Sequence, residues 1–380
     1  MKTLFSNRMI IAVSVITCLN FLSFSAKAFS GTGSGTIGDP YVVTTANQLN
    51  EVRNRLSANY KLTVDIDLTD WLTANFPTQG WLPIGAGGNP GKYFSGTFDG
   101  NGHVITGLWI NRSTIKGDPQ FHRVGLFGTV GGTVAIKNLG VIIATNKSVL
   151  GDSYVGGIVG AVVDGGILTM SSCYVQGNIT TTNTSSFSYY AGGLIGGVIP
   201  SSDATASSVT LSNCYARGGT VTSQGDGVGG LIGFVQGVVN INISNCYAAN
   251  TVVNADGMRS AAGILAMAGS FNGSATSDIK VTISNSVALN PSISGKPTLS
   301  KRIFSWNPSG AIITFNNNFA FDNLPVNSSI VTSGTSNNNN GLNKTSAELT
   351  TQATYEAMGW DFVHVWKMGS GEYSYPVLRK

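Results

Sequence analysis

The chain has 380 residues, only 11% of them charged, with 49 glycines, 42% hydrophobic residues and a formal net charge of +4. No basic run interleaved with aromatics is present, which argues against a nucleic-acid partner. The abundance of Gly, Asn, Ser and Thr suits parallel β-structure with many turns, because Gly and Asn accept the positive φ values that tight turns require.

At the start, Lys2 and Arg8 precede an apolar run from Met9 to Phe24 that ends in Ala26-Lys27-Ala28. This is the pattern of a signal peptide over residues 1–28, cleaved after Ala28. Its removal lowers the formal charge from +4 to +1, since Lys2, Arg8 and Lys27 leave with no acid. A rival reading takes Val15-Ile16-Thr17-Cys18 as a lipid-attachment motif anchored through Cys18, although Thr17 is bulky for that position. No later stretch is apolar over the length a bilayer requires, so no integral membrane segment is expected after signal removal. The chain is therefore expected to be exported: secreted, at the cell surface or in the periplasm.

Residues 29–123 read as an N-terminal cap with the first coils. Gly31-x-Gly33-x-Gly35 looks like a flexible leader. Thr45 and Gln48 form a capping box that opens a short helix through Leu49, Val52 and Leu56. YKLTVDIDL at 60–68 places Leu62, Val64, Ile66 and Leu68 on one face and Asp65 and Asp67 together on the other. Those two carboxylates could begin a calcium site, which needs about six to eight oxygens; the alternative is a solvated face. GAGGNPGKY at 85–93 fails as a phosphate loop, because Ala86 replaces the first Gly and Tyr93 the Ser or Thr that would hold magnesium. Asp99-Gly100-Asn101-Gly102 reads as a hairpin or corner turn.

Residues 124–323 carry the periodicity. VGLFG at 124–128, GGIVG at 156–160, GGLIG at 192–196, GGLIG at 229–233 and AGILA at 262–266 recur at offsets of 32, 36, 37 and 33. Each is followed by a second element: IKNLGV at 136–141, MSSCYV at 170–175, LSNCYA at 211–216, ISNCYA at 243–248, ISNSVA at 283–288 and FNNNFA at 315–320. Two elements in fixed order at a fixed period mark a solenoid, whose repeats bury their faces only against neighbours. A β-propeller blade would need a longer, four-stranded repeat. The coils are read as about three strands each, with loops at 177–190, 200–208 and 268–279 and with Leu231 and Ile232 on opposite faces of their strand. In LSNCYA, Leu211, Cys214 and Ala216 point inward, Asn213 sits at a bend where asparagines of successive coils stack, and Tyr215 points out. Cys173, Cys214 and Cys246 share one inward position and are expected to be free thiols, because stacked parallel strands hold Cβ atoms further apart than a disulfide prefers.

Residues 324–344, rich in Ser, Asn and Gly, read as a loop. Residues 345–380 form a C-terminal cap: Thr345 and Glu348 box a short helix stopping at Gly359, then GWDFVHVWKM at 359–368 and YPVL at 375–378 close the stack. The expected fold is all-β, a right-handed parallel β-helix with short N-terminal and C-terminal capping helices.

The repeats resemble GLUG motifs of bacterial secreted and surface proteins, including large adhesins and N-terminal parts of IgA-cleaving proteases. The same resemblance runs through GDPYVV at 38–43, ANQLNEVR at 46–53, DIDL at 65–68, WLPIG at 81–85, FSGTFDGNGHVITGL at 94–108 and the closing GWDF and YPVL. It implies a β-helix with surface or adhesive roles and carries no catalytic residues to transfer. An H-E-x-x-H motif, a cell-wall sorting signal and a translocating barrel are not found in the sequence, which favours a small secreted, periplasmic or peripherally attached protein.

Chemistry is sparse. His103, His122 and His364 are far apart, and none has a second His or Cys at metal spacing. Between Val124 and Phe321 there is neither Glu nor His. A polysaccharide lyase or glycoside hydrolase on this fold would need paired acids, for which only loop carboxylates such as Asp152 and Asp226 offer themselves. No cofactor is expected. The reading is an adhesin-like binding protein for glycans or host or matrix proteins, with an enzyme or a structural spacer as alternatives. The outward column Tyr174, Tyr215 and Tyr247 is the candidate ligand surface; equally, it could only stabilise the sheet or lie under a loop.

Overall fold

The computed structural model describes residues 28–380 except 87–91, 113–121, 183–188, 201–205, 255–256, 258, 270–277, 308–309 and 372–373. The expected signal peptide, Cys18 included, and most of the phosphate-loop-like stretch lie outside the described residues, as do parts of the three expected loops.

The chain winds into a parallel β-helix. Sheet A stacks nine strands, from Tyr41–Val43 to Ile312–Asn316, and sheet B runs alongside with fifteen. Sheet C, from Phe127–Val130 to Phe304–Trp306, and sheet D, from Arg123–Val124 to Ser300–Lys301, each stack six. One full coil reads Ile167–Ser171, Tyr174–Gln176, Asn178–Thr181, Tyr190–Gly192 and Ile195–Ile199 before sheet A resumes at Ser207. The coil thus holds five short strands where the sequence suggested three. Segments of three residues are too brief to show alternation, so some of the expected loop length is strand.

Sheet A alternates as the sequence requires. Its inward residues, Ile136, Met170, Leu211, Ile243 and Ile283, are each 0% exposed and partner one another from coil to coil. The corner into sheet B is made by a left-handed residue in six successive coils: Asn138, Ser172, Asn213, Asn245, Asn285 and Asn317, with φ between 48° and 54°. Asn takes that conformation at little cost, which is why the bend recurs as Asn. The expected asparagine ladder forms only in part. Asn317 donates to Asn285 at 2.9 Å and Asn138 to Asp99 at 3.1 Å, whereas Asn213 accepts from Trp366.

The residue after each corner continues this logic. The backbone N–H of Cys173 donates to Cys214 Sγ at 3.4 Å, that of Cys214 to Cys246 Sγ at 3.4 Å, that of Cys246 to Ser286 Oγ at 3.3 Å, and that of Ser286 to Asn318 Oδ1 at 3.0 Å. A small side chain bearing an acceptor fits because the corner withdraws these amides from the backbone ladder. The three cysteines are free and buried. Thiol titration of residues 29–380, denatured without reductant, should therefore find three groups, and the native protein should react with none until it opens; a single titratable thiol would refute this.

Several local expectations give way to the corners. YKLTVDIDL is two strands, Tyr60–Leu62 in sheet A and Ile66–Asp67 in sheet B, so Val64 is 41% exposed at the turn while Leu62, Ile66 and Leu68 are buried. Alternation cannot reveal a corner that keeps the apolar rhythm. Asp99–Gly102 is a corner, one of the two turns expected there, with Asn101 and Gly102 at positive φ. Leu231 and Ile232 both enter the core because the chain turns between sheets D and C beside them. Residues 31–35 are no free leader: Val42 donates to Thr32, Phe29 packs on Tyr41 at 4.6 Å, and a Cβ on Gly31 would meet the Val42 carbonyl at 2.4 Å.

Helix α1 (Ala46–Glu51) is capped by Thr45, which accepts from Gln48 N; the Gln48 side chain accepts from Thr44 N and not from the cap itself, so the box is displaced by one residue. Helix α2 (Thr69–Asn75) was not foreseen. Helices α3 (Ser346–Leu349) and α4 (Gln352–Glu356) follow a complete Thr345–Glu348 capping box, with Gly359 at φ 83° just beyond.

The far end of the stack differs most from expectation. Residues 324–344 contain strands Pro325–Val326, Ser329–Ile330 and Leu342–Lys344, and their Asn-rich part, not the final segment, covers the last coil. Asn339 O accepts from Ile303 and Phe304, and the fully buried Arg302 donates to the carbonyls of Phe321, Asn340 and Gly341 and to Asn343. Burial lowers the Arg302 pKa to about 10. Residues 345–380 instead run back along the outside of sheet B as a strap.

Candidate ligand-binding groove

The outward column of sheet B is continuous. Val104, Gly140, Tyr174, Tyr215, Tyr247, Val287, Phe319 and Leu342 are register partners from coil to coil. The three tyrosines stack almost face to face, Tyr174 on Tyr215 at 4.9 Å and 7°, and Tyr215 on Tyr247 at 4.7 Å and 6°. In-register parallel strands impose this spacing, so the column was legible in the sequence. Its exposure was not.

The strap lies over the upper part of the column. Leu349, Tyr355, Met358, Trp360, Phe362 and Trp366 join Tyr215, Tyr247, Val287 and Phe319 in one buried cluster. Trp360 Nε1 donates to Asn285 O at 2.8 Å, Trp366 Nε1 to Asn213 Oδ1 at 3.3 Å and Tyr247 Oη to Pro376 O at 2.8 Å. Near the first coils, Lys380 pairs with Asp65 at 3.6 Å. Tyr215 and Tyr247 are consequently 2% and 1% exposed. Burial pushes both phenols above their ordinary value. Of the three predicted site residues, Tyr247 is closed off, Tyr215 adds to the wall of one cavity although it is buried, and Tyr174 is the half-buried one beside it.

Beside Tyr174 the strap and the sheet part around a cavity of about 410 Å³. Gly140 creates it. The column has no side chain there, and the Tyr174 ring lies across the gap, so close that a Cβ on Gly140 would meet it at 2.5 Å. Four basic residues, Arg217, Lys367, Arg379 and Lys380, line it among neutral ones such as Asn101, Asn138, Ser172 and Leu378. Arg217 lies 5.4 Å over the Tyr215 ring and donates to Gln176 Oε1 at 3.3 Å. Arg379 holds the strap, donating to the carbonyls of Trp366 and Phe362, each at 2.8 Å. Lys367 is exposed on the strap strand Trp366–Met368. These cations carried no motif; Arg217 could have been noticed only as the one basic residue in a position that Gln176 and Ala249 fill in neighbouring coils.

Asp65 and Asp67 do not share a site. Asp65 accepts from Val104 N and pairs with His103, both at 3.0 Å, and the backbone bond first, then His103 and Lys380, hold its carboxyl below the usual range. Asp67 accepts from Thr69 Oγ1 at 2.7 Å and Thr69 N at 2.9 Å, which lower its pKa likewise. It faces a second concavity of about 560 Å³, where Lys147 sits 4.8 Å over the Trp109 ring.

The catalytic candidates are also separated. Asp152 pairs with His122 Nδ1 at 2.9 Å, and Ser153 Oγ approaches the same nitrogen at 3.3 Å. A Ser–His–Asp relay needs the acid and the hydroxyl on opposite ring nitrogens. Asp226 is buried beside Arg259, at 3.6 Å. His364 pairs with Asp361 on the strap at 2.9 Å.

Fold and groove define a parallel β-helix with a laterally docked C-terminal strap and a cationic, aromatic-floored cavity. No family model matches the chain. It is 41% identical over 116 residues to a Gly-rich membrane protein, so described provisionally, of Evansella cellulosilytica, and 32% identical over 184 residues to halomucin of Haloquadratum walsbyi. Those matches cover 30% and 47% of this chain but only 12% and 2% of the relatives, so it spans a small part of their length. A crystal structure from Bacteroides ovatus, described as a candidate immunoglobulin A1 protease, superposes with a TM-score of 0.63 over 92% of this chain and 94% of that one, at 23% identity. That likeness establishes the fold. Among the described residues no helix is long and apolar enough to cross a membrane.

Proposed function

We propose that this is an exported, surface-associated binding protein of adhesin type, built from GLUG-like repeats, that recognises saccharides in the Tyr174 groove and catalyses no reaction on them. The carrying observation is the end of the tyrosine ladder: Tyr174 emerges from the covered column into a cavity of about 410 Å³, beside hydrogen-bonding side chains. A flat ring with a polar rim suits a sugar face, which is apolar at its C–H groups and polar at its edge. The volume falls within the range of small-ligand sites. The names of the relatives, a membrane protein and a mucin, support a surface setting. The separate engagement of Asp152 and Asp226 supports a binding role over hydrolysis or elimination. The structural-spacer reading draws its strength from the burial of Tyr215 and Tyr247.

A saccharide array followed by calorimetry tests the proposal. Tyr174→Ala should weaken the best ligand about tenfold, a change of about 1.4 kcal/mol, with an unchanged far-UV spectrum. Binding to no saccharide, or equal binding by the variant, would overturn it, and release of reducing or unsaturated sugar would overturn its non-catalytic part.

A further inference from the structure

We infer that the groove selects anionic saccharides, those carrying carboxylate or sulfate groups, over neutral ones; this rests on the saccharide reading of the Tyr174 groove. The chain is poor in charge, with 22 Lys and Arg among 380 residues. Four of these, Arg217, Lys367, Arg379 and Lys380, nonetheless line this one cavity, and no Asp or Glu side chain is among its lining residues.

The cations are not equivalent. Arg379 is used on the strap's own carbonyls. Arg217 is positioned by Gln176, by the face of Tyr215 and by the Tyr247 phenol, which orients its planar guanidinium beside the floor of the cavity. Such a group matches a carboxylate or sulfate in two-point geometry. Lys367 is exposed at the rim. Lys380 is 3.6 Å from Asp65, a partner that is itself held by Val104 N and His103, so its ammonium can turn to an incoming anion without stranding the carboxylate. A sugar ring resting on Tyr174 would place its acidic substituent between these groups, and a neutral sugar would leave them with water.

The test uses tetragalacturonate, its methyl ester and a heparin tetrasaccharide, with tetraglutamate as a non-saccharide acid. Methyl esterification removes charge and leaves the rings in place. Tetragalacturonate, the heparin fragment or both should bind at least about tenfold tighter than the ester, with affinity falling as salt rises. Lys367→Gln and Arg217→Gln should each move the acid-to-ester affinity ratio toward one, with an unchanged far-UV spectrum. Equal binding of acid and ester would overturn the inference and leave the saccharide reading standing; a preference that survives both substitutions would overturn its placement. Tighter binding of tetraglutamate than of any saccharide overturns it too. Binding of none of the four would overturn the inference, and the saccharide reading would then stand or fall on the array.

Discussion

Replacing Trp366 with alanine is expected to lower the unfolding free energy by about 3–5 kcal/mol, the usual cost of truncating a buried tryptophan. Trp366 is 0% exposed and sits at the centre of the strap's contact with the ladder, 4.6 Å from Trp360, 6.1 Å from Tyr215 and 6.3 Å from Tyr247. Its indole N–H also holds Asn213 at the corner between sheets A and B. The strap crosses several coils, so its loss loosens all of them, and stacked tyrosines that are now dry become wet. Denaturant unfolding followed by fluorescence measures the change. Val363→Ala on the same strap is the control, since Val363 is 75% exposed and should move stability by no more than about 0.5 kcal/mol. A loss below about 1 kcal/mol for Trp366→Ala would mean that the strap is not seated on the ladder.

The second large effect is expected at Gly230→Ala, about 3 kcal/mol or more, or failure to fold. A Cβ at Gly230 would lie 1.9 Å from the carbonyl oxygen of Gly263, the same position one coil on. The relation repeats: Gly157 faces Gly193 O at 2.7 Å, Gly193 faces Gly230 O at 2.1 Å and Gly263 faces Arg302 O at 2.2 Å. These contacts are with backbone, which cannot turn aside as a side chain can. Gly227, in the same coil, serves as the comparison. A Cβ there would meet side-chain atoms of Tyr190 and Ser260 at 3.1 and 3.2 Å as its nearest neighbours, not a carbonyl, so Gly227→Ala should cost clearly less. Thermal unfolding of the two variants decides the matter; equal losses would mean that the carbonyl stack is not what selects glycine.

The same column explains both what the sequence disclosed and what it concealed. Glycine recurs where each coil must admit the next coil's carbonyl, and that recurrence exposed the period and the fold. In the last coil no further coil follows in the column, and Arg302 takes the glycine's place, with its side chain reaching into the Asn-rich segment that ends the stack. Nothing in a single sequence distinguishes that arginine from a surface one. The inward Cys and outward Tyr were readable for a related reason, since strand alternation fixes direction. Direction does not fix exposure. The strap that buries Tyr215 and Tyr247 is far away in sequence, and its apolar residues Trp360, Phe362 and Trp366 serve equally well for closing an end or covering a side. The open part of the site, Tyr174 with Arg217, Lys367 and Lys380, is assembled from three separate stretches of chain, so no local motif announced it.

Hydroxyl-radical footprinting of the tyrosines, with and without tetragalacturonate, tests the central claim most directly, namely that the ladder is roofed by the strap except where Tyr174 opens into the groove. Without ligand, Tyr174 should be oxidised while Tyr215 and Tyr247 stay protected, and the saccharide should then protect Tyr174. Oxidation of Tyr247 as readily as Tyr174, or a Tyr174 signal indifferent to bound saccharide, would contradict it.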